Sequence, residues 1–115
     1  MSVEKVVIDY LKEQLDVPVG PEKPGGPPDS YCMIIKTGSD EKDMLKAANI
    51  AVYSVGPTKW AAIRLNDDVK AAMRELRQDT ADVFSCRCTT DYDATDTRTR
   101  EYRYCAVFRV VYVDE

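Results

Sequence analysis

Histidine is absent from this 115-residue chain. Any general base would therefore have to be a carboxylate, and a catalytic carboxylate needs a sheltered setting that shifts its pKa. Asp40, Glu41, Asp43, Asp91, Asp93 and Asp96 instead fall in hydrophilic stretches, where solvated charge is the ordinary state. Phosphate-loop and nucleophile-elbow patterns are also missing, and Gly25-Gly26 sits between prolines and opens no helix, so it makes no phosphate cradle. The expectation is a protein that is not an enzyme and takes no cofactor. No apolar stretch approaches the roughly 18 residues that span a bilayer, and the opening Met-Ser-Val-Glu-Lys lacks a signal peptide's apolar run. Synthesis and folding in a cytosol, with no membrane partner, is the reading. A basic excess is lacking too: 20 acidic residues face 16 basic ones, net -4. That balance argues against a general DNA or RNA binder, whose footprint is a basic surface.

What is present is led by Tyr102–Val113, a run without Gly or Pro dominated by β-branched and aromatic side chains. Alternation sets Tyr102, Tyr104, Ala106, Phe108, Val110 and Tyr112 on a face expected to meet a core. The other face, with Arg103, Cys105, Val107, Arg109, Val111 and Val113, is expected to be half covered, by a helix or by another subunit. At the start, Ser2 can cap an amphipathic helix over residues 3–15, with Val3, Val6, Val7, Tyr10 and Leu11 as its stripe. Val17 and Val19 can form a short strand. Residues 20–30 carry four prolines and three glycines, which forbid helix and ladder pairing. This excursion is either a connector or a lip that packs on a neighbour.

Residues 31–37 and 45–55 read as a hairpin joined by a polar turn at residues 38–43. Thr58 is a natural N-cap for a helix over residues 59–77, whose stripe is Ala62, Leu65, Val69, Ala72, Met73 and Leu76, with Trp60 and Ile63 beside it. Residues 83–90 form a strand with Phe84, Cys86 and Cys88 facing inward, and residues 91–100 a polar loop. The four cysteines, Cys32, Cys86, Cys88 and Cys105, all fall in strands, and Cys86-x-Cys88 lacks the knuckle spacing of zinc sites. Free thiols acting as small hydrophobes are the bland reading, with a disulfide or a metal site as alternatives. The element order predicts one α+β domain over residues 1–115: a mainly antiparallel four- to five-stranded sheet with two helices packed on it, in the order α-β-β-β-α-β-β.

Four segments carry a family likeness across nearly the whole chain. The N-terminal helix runs into Leu15-Asp16-Val17-Pro18-Val19 and a Pro-rich passage. An apolar strand ends in Thr37-Gly38. Asn49-Ile50-Ala51-Val52-Tyr53-Ser54 hands over through Pro57-Thr58-Lys59-Trp60 to the long helix. An acidic loop, Asp91 to Asp96, precedes the aromatic-basic Arg100-Glu101-Tyr102-Arg103-Tyr104. This ordered set resembles the tail-terminator, or minor tail, proteins of long-tailed bacteriophages and prophages. The cysteine content and the proline-rich loop depart from the family's pattern.

The resemblance implies a structural virion protein that forms a ring, commonly a hexamer, on the head-proximal end of the tail tube. It would stop tube growth and offer a joining surface to the head. Its partners would be copies of itself, the major tail-tube protein and the head connector or completion protein, with genome DNA passing through the ring without specific binding. Heterologous ring contacts need two different surfaces per subunit. Pro24, Pro27, Pro28, Arg103 and Arg109 are the candidate subunit contacts. The loops with Asp40, Glu41, Lys42 and Asp43, and with Asp91, Asp93, Asp96, Arg98 and Arg100, are the candidate tube or connector contacts. Rival readings are a head-completion (neck) protein of the same phages, a tail-tube subunit, or a cytosolic cysteine metal module.

Overall fold

A computed structural model describes residues 2–26 and 28–113; Pro27 lies outside the described residues. The described residues form an α+β fold, with one five-stranded mixed sheet and three helices. In chain order these are α1 (Val3–Gln14), β1 (Val19–Gly20), β2 (Tyr31–Lys42), β3 (Leu45–Gly56), α2 (Lys59–Arg74), α3 (Leu76–Asp79), β4 (Val83–Asp93) and β5 (Tyr102–Val113). The sheet order is β1-β2-β3-β5-β4. All pairs are antiparallel except the short β1, which lies parallel to β2 through Val19 opposite Cys32 and makes the sheet mixed.

Both long helices start where the sequence places a cap. The Ser2 hydroxyl accepts from the Lys5 amide at 3.3 Å, and Thr58 Oγ1 accepts from the Ala61 amide at 3.1 Å. Each satisfies a donor that the first helical turn leaves without a partner. The second helix breaks earlier than the periodicity predicts. Glu75, at φ -98 and ψ 0, ends α2, and the short α3 follows it with Leu76 still buried.

The core lies between the sheet and the helices. Val3, Val7, Tyr10 and Leu11 of α1 and Leu65, Val69 and Met73 of α2 meet Cys32 and Ile34 of β2, Ala48, Ile50 and Val52 of β3, and Ala106, Phe108, Val110 and Tyr112 of β5. Tyr10 Oη donates to the Ala72 carbonyl at 2.6 Å, so a buried hydroxyl also ties α1 to α2. The core face expected of β5 is therefore found from Ala106 to Tyr112, while Tyr102 and Tyr104 are half-buried.

Strand limits differ from the polarity-based expectation in three places. Residues 38–42 continue β2 up to a two-residue turn, Asp43 (φ 53) and Met44 (φ 71), so Asp40, Glu41 and Lys42 are strand residues and not loop residues. Positive φ at both central positions matches the twist of the flanking strands. Likewise β4 runs to Asp93, which takes Asp91 and Asp93 out of the expected loop. The third difference is a bulge between Val83 and Ser85 that turns Phe84 out to solvent, 54% exposed; Cys88 is exposed as well, and only Cys86 of the expected inward trio packs against the core. Edge ladders tolerate polar residues because one side of the strand stays hydrated, so polarity alone misplaces their ends.

Candidate subunit interface

All of the helices lie on one face of the sheet, which removes a helix as the cover of the other. Across that open face run Ala47, Ala51 and Cys105, small residues that their neighbours bury to 5%, 1% and 0% exposure. Around them stand Met33, Tyr53, Val107, Val111 and Val113, half-buried, with Ile35, Leu45 and Tyr92 exposed. The ladder puts these side chains in cross-strand rows, such as Ile35, Ala51, Val107 and Thr90, or Met33, Tyr53, Cys105 and Tyr92. A contiguous apolar face of this kind marks an interaction surface more often than a solvated one.

The two arginines expected on that face, Arg103 and Arg109, are held by the chain itself. Arg109 Nη2 meets the Asp40 carboxylate at 3.3 Å, reaching over β3 where the intervening residues are Asn49 and Ala47. Arg103 donates from Nε to the Ala94 carbonyl at 2.6 Å, pairs with Glu101 at 3.2 Å and lies 5.6 Å from the centre of the Tyr53 ring. Its first role is thus internal, clamping the β4–β5 connection.

Glu101 is the hub that sequence reasoning missed. Its carboxylate accepts from Tyr31 Oη at 3.1 Å and from Lys23 Nζ at 3.0 Å besides pairing with Arg103. Burial pushes this carboxyl up, but the hydrogen bonds from Lys23 and Tyr31 and the charges of Lys23 and Arg103 outweigh it and hold it below its ordinary range. The same contact works the other way on Tyr31, whose burial, with the Glu101 hydrogen bond and charge, raises its hydroxyl to about 12. Lys23 anchors the proline-rich passage here; Pro24 beside it is half-buried and Pro28 exposed.

A second polar group sits on the helix side of β4. Asp91 accepts from Asn66 Nδ2 at 2.8 Å and from Lys70 Nζ at 2.6 Å. Burial raises the Asp91 carboxyl, yet the hydrogen bonds from Lys70 and Asn66 leave it lowered overall. Asn66 is 2% exposed, and its Oδ1 has no partner among the described residues. Its spacing, four after Ala62 and three before Val69, placed it on the buried stripe in the sequence, so this signal was legible. Lys59 reaches Asp93 at 2.9 Å, and hydrogen bonds from Thr95 and Lys59 lower Asp93 to about 2.

Asp96 closes the β4–β5 turn by accepting from the Arg98 and Thr99 amides at 3.0 and 3.3 Å. Arg98 and Arg100 extend from that turn into solvent, Arg100 at φ 59. The strand directions put this turn at one end of the sheet and the Asp43-Met44 turn at the opposite end. The candidate contact residues are thereby divided between two ends and two edges.

Among the described residues no group of three or more His, Cys, Asp or Glu side chains could hold a metal ion, and the four cysteines are free thiols. No helix there is long and apolar enough to cross a membrane. No family model matches the chain, and no curated protein matches it significantly.

Proposed function

We propose that this chain is a ring-forming structural subunit of a long-tailed phage tail, acting as the terminator that caps the head-proximal end of the tail tube. The observation that carries the reading is the sheet with one face covered by helices and an apolar second face left open. Such a face fits a subunit whose sheet is completed by neighbours.

The ends of the sheet fit the same role. With the strands along the ring axis, the Asp43-Met44 turn would meet one partner and the turn carrying Asp96, Arg98 and Arg100 the other, so tube and head connector would be addressed from opposite ends. Met44 is 83% exposed at positive φ. A bulky side chain held in that conformation at a turn is unfavourable by itself and is understandable as a contact residue. Trp60, 69% exposed in the first turn of α2, is a further anchor of the type that dominates binding energy when buried. In this role the protein performs no chemistry, holds no cofactor, and resides in the virion.

The test is light scattering with negative-stain microscopy, on the protein alone and after mixing with the tail-tube subunit. Closed rings seated on tube ends support the reading. A strict monomer that never decorates tubes overturns it, and retention on tail-less heads would move the protein to the neck.

A further inference from the structure

Among the described residues, the order β1-β2-β3-β5-β4 leaves two long stretches of strand edge without a neighbouring strand. On one side β1 covers β2 only at Cys32 and Met33; on the other, β4 is the outermost strand along all of its length. Successive antiparallel pairing from β2 to β3, β5 and β4 makes β4 run opposite to β2. A second copy rotated about an axis along the strands would therefore bring its β4 antiparallel to the first copy's β2 and continue the alternation. Unpaired strand edges are templates for this kind of addition.

We infer that copies of this chain join edge to edge, β2 of one on β4 of the next, in the register that sets Asp40 opposite Arg87. Three pairs agree with that single register. Asp40 meets Arg87 on the open face. Lys36 meets Asp91 on the helix face, and Ile35 meets Tyr92 on the open face. Every pair matches in side as well as in chemistry, because Asp40, Arg87, Ile35 and Tyr92 share rows with open-face residues, while Lys36 and Asp91 are opposite the core residues Ile50 and Ala106. Between the two charged pairs the same number of residues intervenes on each strand, and each strand has its ladder irregularity there, between Lys36 and Gly38 and between Cys88 and Thr90.

The charges within one chain favour this partner. Arg87 lies directly opposite Arg109 in the β4–β5 ladder, a like-charge pairing that destabilises a sheet. Asp40 offsets Arg109 within the chain and remains 64% exposed, so a neighbour's Arg87 can share it. Ile35 and Tyr92, 40% and 45% exposed, would cover each other. The two edges differ, so the contact is heterologous and can close a ring without a two-fold axis. This deepens the ring reading above by naming its seam.

The register places Ser39 opposite the next copy's Cys88, an exposed native thiol. Ser39→Cys in the full chain, held concentrated with oxidised glutathione, is expected to give a disulfide ladder extending past the dimer on a non-reducing gel. The double variant Ser39→Cys/Cys88→Ser should lose it. Linkage no greater than in the unsubstituted protein, or linkage that stops at the dimer, overturns the inference. Microscopy of tube ends is scored separately. Capped tubes without the ladder would keep the terminator reading and move its seam, whereas a ladder without capped tubes would keep the seam and overturn the terminator.

Discussion

Tyr31 Oη donates to the Glu101 carboxylate at 3.1 Å, a bond between residues 70 apart in sequence that joins the start of β2 to the residue preceding β5. Because Lys23 and Arg103 share the same carboxylate, one side chain ties the proline-rich passage, the sheet and the β4–β5 turn together. Glu101→Ala should destabilise the fold by about 1–3 kcal/mol, since it leaves a largely buried tyrosine hydroxyl unpaired. Glu101→Gln keeps an acceptor for Tyr31 and should lose less. Urea unfolding of the two variants checks the order.

Acid should act through the same kind of contact. Asp91 and Glu101 both have folded pKa values below their ordinary ones, despite burial that pushes each up. Unfolding then takes up protons, so their stabilisation is fully present above the ordinary carboxylate range of about 4 and is lost as pH falls through the folded values. Thermal unfolding followed from pH 7 to pH 2 should show Tm falling below about pH 4. In Lys70→Met the fall should be shallower, because the main hydrogen bond lowering Asp91 is gone.

Gly56 ends β3 immediately before the turn into α2. A Cβ there would lie 2.8 Å from the Ala62 amide nitrogen and 3.0 Å from the Ala61 carbonyl carbon, backbone atoms that cannot swing away. Gly56→Ala should therefore cost about 1–3 kcal/mol, in the range of overpacking. An unchanged urea midpoint would show that the helix start can shift to make room.

The thiols should separate by reactivity. Burial raises both Cys32 and Cys86 to about 12, and Cys105 is also raised by burial. Cys88 is the exposed one. Ellman's reagent at pH 8 should titrate one thiol quickly, with Cys32 and Cys105 reacting only as the chain unfolds. Cys88→Ser should remove the fast phase.

Local pattern in the sequence was enough for the caps at Ser2 and Thr58, the core stripe of α1, the alternation of β5 and the α+β class, because each depends on residues within a few turns or on period-two alternation. Polarity misplaced the ends of β2 and β4: Asp40, Glu41, Asp91 and Asp93 look like loop residues, yet an edge ladder keeps one side hydrated and accepts them. Which face the helices cover was open at Arg103 and Arg109, since both faces of β5 mix apolar and polar residues. Only the tertiary packing decided it, by setting α2 against Ala106 to Tyr112, with α1 against β2 and α3 against β4 on the same face, and leaving Val107, Val111 and Arg109 uncovered. Glu101 could not be read as a hub, because Lys23, Tyr31 and Arg103 converge on it through the fold and no local pattern records a contact 70 residues away. The pairing of Ile35, Lys36 and Asp40 with Tyr92, Asp91 and Arg87 likewise needs strand order and facing, which long-range ladder formation alone supplies.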